Sequence, residues 1–363
     1  MTETTARPDL IGLVPDRARD ALRDHFDARG VASYRVGQTL SWIYDKVALS
    51  PDEITELPAG ERDALAEAFT FTSPEPARVQ RSEDGTAKHL WRLSDGELVE
   101  SVLIPAEDRL TLCISSQAGC AMACTFCATG WSGYRRNLTA GEIVAQYRGA
   151  RRWAEENGRG PITNIVYMGM GEPLMNLGPV MDSLTLLNHG YDVGARRITV
   201  STVGIVPGID ALAARPEQFR LALSLHAPTH GLREKIVPVE KKYPIADLMD
   251  SLQRFDEAGG RRVTFEYIMI DGINDDLALA DTLAGLADEV HAHVNLIPYN
   301  PIPGPDWRPS PRSRIQAFAD RLEGRGIATT IRTPRGRDIA AACGQLRAEH
   351  ETRPPKPFVE LTA

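Results

Sequence analysis

The stretch Gln117-Ala-Gly-Cys120-Ala-Met-Ala-Cys124-Thr-Phe-Cys127 decides how the rest of the chain is read. Three thiols at the spacing Cys-x3-Cys-x2-Cys are separated by small residues that let their sulfurs converge on one object. Three thiolates at this spacing match an iron–sulfur cubane with one iron left open, whereas the usual four-cysteine set fills every coordination position. An open iron can bind a substrate; a closed one can only pass electrons. A structural zinc ion with Cys113 as fourth ligand is the competing reading. Zinc ribbons use two Cys-x-x-Cys knuckles, and one such close pair is present here.

Outward from this loop the pattern is strand–helix alternation. Strands are predicted over 110–115, 162–168, 197–201, 219–224, 262–269 and 291–297, with helices over 140–157, 180–189, 209–214, 245–258 and 277–289. Six such units imply an α/β fold with a parallel sheet curled into a partial (β/α)6 barrel, functional residues lying just past strand C-termini. A doubly wound open sheet is the alternative, but no Gly-x-Gly-x-x-Gly follows the first strand. Upstream, helices are predicted over 15–29, 37–46 and 59–69, then a linker at 74–76. A β-hairpin over 88–93 and 98–104 turns at Asp95-Gly96. Trp42 and Tyr44 read as core or as base-stacking groups. The expected organisation is a helical accessory unit (1–85), a hairpin linker (86–108), a core barrel (109–340) and a C-terminal segment with Cys343 (341–363).

Composition bounds the function classes. With 363 residues, 42% hydrophobic and 25% charged, the chain is neither a disordered, collagen-like nor disulfide-scaffold protein. No apolar run approaches the ~18 residues of a membrane helix. Met1-Thr-Glu-Thr-Thr-Ala-Arg-Pro-Asp-Leu10 holds no apolar signal core, so a cytoplasmic location is expected. Five cysteines in such a chain point to metal binding or catalysis. A net charge of −8 argues against a simple nucleic-acid coat, yet residues 308–337 carry eight Arg against Asp320 and Glu323. That run, which includes Arg332, Arg335 and Arg337, reads as a phosphate-contacting surface or as an ordinary charged one.

The cysteine motif, with Phe126 before its last Cys, resembles the radical S-adenosylmethionine (SAM) superfamily. So does Gly169-Met-Gly-Glu172-Pro173, which is similar to the turn that holds the SAM amino group in those enzymes. Further motifs narrow the resemblance. Thr111-Leu-Cys113-Ile-Ser-Ser, Ser224-Leu-His226-Ala-Pro228, Asn295-Leu-Ile-Pro-Tyr-Asn300-Pro301 and Ala341-Ala-Cys343-Gly-Gln-Leu346 resemble the RlmN-type RNA adenine methyltransferases. The likeness runs over nearly the whole chain, with one departure: Ala340 stands where an acidic residue is expected.

The resemblance implies methylation of carbon 2 of adenine 2503 in 23S rRNA and of adenine 37 in certain tRNAs. It implies one 4Fe-4S cluster on Cys120, Cys124 and Cys127. SAM would be held by Gly171, Glu172, Ser201, Ser224, Leu225, His226 and Asn300. Cys343 is implied as the methyl carrier, Cys113 as the thiol that releases it through a transient disulfide, and Glu100 as the proton acceptor. An electron donor such as flavodoxin or ferredoxin, a monomeric state and no membrane contact are also implied. The chemistry accounts for the second pair of cysteines. Adenine carbon 2 is an electron-poor amidine carbon that cannot displace a methyl group from a sulfonium, so a radical adding to the ring is an open route; that a thiol first accepts the methyl is what the resemblance implies. From the residues alone Glu100 is an exposed strand position, Cys113 and Cys343 are buried free thiols, His226 is a core histidine and Asn300 a turn residue. Two other readings stay open: the Cfr type, which methylates carbon 8, and a zinc- or cluster-stabilised RNA-binding module without catalysis.

Overall fold

Helices α1 (Pro15–Ala28), α2 (Tyr34–Tyr44) and α3 (Ala59–Ala68) lead the chain, close to where periodicity predicts them. In α1 the buried residues Ala18, Leu22 and Phe26 recur every four positions and form one apolar stripe. The computed structural model describes residues 7–73, 75–259 and 263–346.

Four antiparallel strands follow: β1 (Glu75–Arg81), β2 (Ala87–Arg92), β3 (Leu98–Ala106) and β4 (Arg109–Cys113). The linker expected at 74–76 is a correction: residue 74 lies outside the described residues, and Glu75 and Pro76 open an edge strand. Pro76 is tolerated there beside a register shift between Pro76 and Arg78, because an edge leaves one row of N–H groups unpaired. The hairpin is likewise part of the main sheet, since β3 pairs with β4.

The remaining elements alternate. A small two-stranded sheet of β5 (Gln117–Gly119) and β6 (Tyr134–Asn137) brackets the short helix α4 (Ala128–Ser132). After it come α5 (Ala140–Glu156), β7 (Asn164–Tyr167), α6 (Leu177–Thr185), β8 (Ile198–Thr202), α7 (Val206–Ala213) and β9 (Arg220–Ser224). The chain continues through α8 (His230–Ile236), α9 (Ile245–Glu257), β10 (Val263–Met269), α10 (Leu277–Glu289), β11 (His293–Pro298), α11 (Arg312–Gly324) and β12 (Thr329–Ile331). Sheet order is β1-β2-β3-β4-β7-β8-β9-β10-β11-β12, with every pairing from β4 onward parallel. The six expected parallel strands are therefore present, and β12 is a seventh. The parallel part is a partial barrel: among the described residues β12 ends the sheet and does not pair back onto β4.

The leading helices pack on the barrel through a fully buried guanidinium. Arg148 of α5 donates to the Ile43 carbonyl at 3.0 Å, to the Tyr191 hydroxyl at 2.6 Å and to the Ala48 carbonyl. Burying an Arg is more tolerable when both terminal nitrogens are paired in this way, although its Nε has no partner among the described residues. Among the described residues no helix is long and apolar enough to cross a membrane.

Candidate active site

The cysteine loop is shaped by glycine and by backbone contacts. Gly119 has φ +78, and a Cβ there would lie 1.9 Å from the Gly133 carbonyl oxygen, so the strand entering the loop admits no side chain at this point. Cys120 N–H donates to that same carbonyl at 3.1 Å, and Cys127 N–H to the Cys124 carbonyl at 3.2 Å. The loop sits at the C-terminal end of the parallel strands, and all three thiols line one open cleft of about 810 Å³. Burial pushes Cys120 up to about 12 and raises Cys124 and Cys127 as well. Three thiols that burial would keep protonated become thiolates when a cationic metal centre supplies the missing charge, so the donor set fits a three-thiolate cluster. Cys113, the fourth ligand that a zinc site would need, lines a neighbouring recess instead.

Opposite the cysteines, the turn after β7 is folded back onto β5. Gly171 has φ +100, and a Cβ on it would meet Gln117 at 2.6 Å. Glu172 N–H donates to Gln117 Oε1 at 2.8 Å. The Glu172 carboxylate is buried and accepts from Leu174 N–H (3.1 Å) and Val203 N–H (2.8 Å), while burial pushes it up to about 7. Thr202 adds a side-chain hydrogen bond to the same carboxylate, which still keeps acceptor capacity for a cationic amine in the cleft.

Ser201 at the end of β8 and Ser224 at the end of β9 line the same cleft. His226 follows in a left-handed backbone (φ +58), its ring edge-on to Phe126 at 4.4 Å between centroids. Its Nδ1 accepts from Ile268 N–H at 3.1 Å, which leaves the proton of the neutral ring on Nε2. Burial lowers this imidazole to about 3, so it stays neutral. Leu225 places its side chain in the core rather than in the cleft, and its N–H is bonded to Leu223 and Glu266 carbonyls.

Cys343 also lines the cleft, and with Cys113 and Asn300 it lines the adjoining recess. Both cysteines are free thiols here, Cys113 buried and Cys343 exposed. Burial pushes Cys113 up to about 12, with the nearby Cys343 adding to the rise. The segment bearing Cys343 is laced across the cysteine loop. Ala128 N–H donates to the Gly344 carbonyl at 2.7 Å and Thr129 Oγ1 to the Leu346 carbonyl at 2.6 Å.

Two expectations for single residues are corrected. Glu100 is not an exposed strand position: it is 3% exposed and ion-paired with Lys88. Arg332 is half-buried, its side chain 35% exposed, rather than freely on the surface. It lines both cavities, lies 3.5 Å from Glu266, and is held protonated first by Cys343 and then by Glu266, against the cost of burial. Glu266 was missed by sequence reading; a carboxylate amid the apolar strand Val263–Met269 was the available signal. Lys88 was missed as well, one lysine in an otherwise ordinary hairpin.

Comparison with known proteins agrees with this geometry. Residues 114–283 match the radical SAM superfamily. A radical SAM methyltransferase from Sphaerobacter thermophilus, of known crystal structure, superposes with a TM-score of 0.89 at 47% identity, over 94% of this chain and 100% of that one. A Gemmatimonas aurantiaca protein named probable dual-specificity RNA methyltransferase RlmN is 50% identical over 347 residues, 95% of this chain and 94% of its own. The chain belongs to the RlmN family. An Anaeromyxobacter protein named dual-specificity RNA methyltransferase RlmN is 45% identical over 368 residues, 98% of this chain and 96% of its own. Membership in the RlmN family makes the chain a radical SAM enzyme that uses a 4Fe-4S cluster and SAM. The non-catalytic module and the zinc reading are thereby set aside.

Proposed function

We propose that this enzyme methylates carbon 2 of adenine in 23S rRNA and in tRNA. The observation that carries the reading is the placement of Cys343, which lines both the three-cysteine cleft and the recess that holds Cys113. A methyl carrier has to meet a methyl donor on one side and a releasing thiol on the other. RlmN-named relatives at 45–50% identity favour carbon 2 over carbon 8.

In this reading Cys120, Cys124 and Cys127 hold the cluster, and Glu172, Ser201, Ser224, His226 and the Gly171 backbone hold SAM, with Leu225 setting the path of the chain between Ser224 and His226. Cluster and SAM together supply a methyl group and a hydrogen-abstracting radical. Cys343 accepts the methyl as the nucleophile, with the Arg332 guanidinium lining the same cleft. The carbon carried on Cys343 bonds to adenine carbon 2. Glu100 takes the proton from that carbon. Cys113 then attacks the Cys343 sulfur, the sulfur–carbon bond breaks, and the released carbon takes up the Cys113 proton to complete the methyl group. The one electron left over would return to the cluster, and the disulfide left behind is reduced before the next turnover. Asn300 holds the Cys343 main chain. A small electron-transfer protein of the flavodoxin or ferredoxin class would deliver the reducing equivalents, and a cytoplasmic monomer fits the RNA substrates.

The test is nucleoside mass spectrometry of rRNA and tRNA incubated with the cluster-loaded enzyme and SAM. 2-Methyladenosine is the expected product; 8-methyladenosine would overturn the carbon-2 assignment.

A further inference from the structure

Lys88 is the second residue of β2 and is 7% exposed, and the chemistry above gives its ammonium no task. Its Nζ is 3.0 Å from Glu100 Oε1, with the two side chains 8% and 5% exposed. Strand register explains the meeting. Leu90 pairs with Glu100 and Lys88 with Val102, so Lys88 and Glu100 are diagonal neighbours on one face of the β2–β3 ladder. Cys113 pairs with Val102 from β4 and therefore shares that face.

The same ammonium reaches a third segment. Lys88 Nζ donates to the Ala340 carbonyl at 3.3 Å, three residues before Cys343, where the backbone turns left-handed (φ +49). The β1–β2 turn clamps this segment further: Gly336 N–H donates to Asp84 Oδ2 at 2.9 Å, and Ser82 Oγ to Asp338 Oδ1 at 2.6 Å. One charged group thus joins the strand that bears Glu100 to the loop that bears the methyl carrier.

We propose that Lys88 is a positioning residue for proton removal from adenine carbon 2, holding the Glu100 carboxylate in place and tying it to the Cys343 segment. This rests on Glu100 as the proton acceptor. Stability gives little reason to keep such a pair, since buried ion pairs are commonly replaceable by apolar residues without loss. A neutral donor would serve equally to tie down the Ala340 carbonyl. What only a cation supplies is a partner that keeps a carboxylate ionised, and so able to accept a proton, away from bulk water. In the step concerned the carbon-2–hydrogen bond breaks, its electron pair stays in the ring, and the proton bonds to a Glu100 oxygen. Lys88 exchanges no proton.

The experiment compares the parent holoenzyme with K88Q and K88R on RNA whose target adenine carries protium or deuterium at carbon 2. In K88Q we expect turnover to fall ~10-fold or more and the protium-to-deuterium rate ratio to rise above the parent's, because proton removal becomes the slow step. Methylation of Cys343, read by peptide mass spectrometry, should persist. K88R should recover most of the rate and return the ratio to the parent's. A slower K88Q with an unchanged ratio, or a K88Q that turns over like the parent, would overturn the inference. K88M, which fills a similar volume, replaces K88Q should the latter not fold, as judged by iron content and a thermal melt. E100Q is measured alongside. A fully active E100Q defeats the assignment of Glu100 itself, whereas a blocked E100Q beside an unaffected K88Q defeats only the role of Lys88.

Discussion

Asn300 donates from Nδ2 to the carbonyl oxygen of Cys343 at 3.2 Å while its Oδ1 accepts from Arg337 Nε at 2.9 Å. A residue just past β11 therefore fixes the main chain of Cys343, the proposed methyl carrier, across 43 positions of sequence. Asn300→Ala removes both bonds, each worth about 1 kcal/mol net. Cys343 should be methylated several-fold more slowly on incubation with SAM, with iron content unchanged, as peptide mass spectrometry and iron analysis will read. Normal Cys343 methylation combined with weakened SAM binding would instead make Asn300 a ligand of SAM alone.

The two cysteines outside the loop should fail differently. Cys343→Ala should transfer no methyl group and form no adduct. Cys113→Ala should accept the methyl, bond to the base and stop, accumulating a covalent protein–RNA species visible on a denaturing gel. Because Cys113 lines the recess rather than the cleft of the three loop thiols, its removal should leave iron content at the parent level. A Cys113→Ala protein that turned over normally would contradict the assigned release.

His89 should make the fold acid-sensitive. Its ring is fully buried, stacked on Trp91 at 5.1 Å and edge-on to Trp153 at 4.9 Å, and neither nitrogen has a partner among the described residues. Burial lowers it from the usual 6.5 to about 4. Between those two values the unfolded chain binds a proton that the folded one refuses, so stability falls as pH drops from 6.5 towards 4. The decrease is on the order of 3 kcal/mol, at about 1.36 kcal/mol per unit. His89→Phe keeps the aromatic packing and should flatten that part of the profile in urea unfolding at successive pH values. An unchanged slope would show that other groups dominate acid unfolding.

RNA docking should depend on a subset of the basic run. Arg321 and Arg325 are paired with Asp281, Arg332 with Glu266, and Arg337 bonds Asn300. Arg312, Arg314 and Arg335 are exposed. Replacing these three with Gln should weaken RNA binding and reduce the salt slope by roughly 0.7–0.9 for each RNA phosphate that is no longer neutralised, with SAM binding unaffected. Binding isotherms at several salt concentrations will decide, and an unchanged slope would return the stretch to ordinary surface.

Sequence by itself determined whatever is local. The cysteine triad spans a few residues, so its spacing alone announces a cluster, and the apolar alternation of the barrel strands and stripes of the long helices follow from periods of two and 3.6. Where local signal was absent, reading failed. β1 is almost wholly exposed and has no alternation, and β12 is three residues long. In α11 the buried residues Ile315, Phe318, Ala319 and Leu322 carry a helical period that the arginines overshadowed. The tertiary structure alone decided which distant groups share an environment. Cys113 and Cys343 line one recess, Arg332 turns inward to Glu266, and Lys88 meets both Glu100 and the Ala340 carbonyl. No spacing rule reaches across 252 positions, as the bond from Lys88 to Ala340 does. Such meetings exist only once sheet register and barrel curvature have set which faces come together, and it is burial, a property of the whole packed molecule, that fixes the protonation of the groups found there.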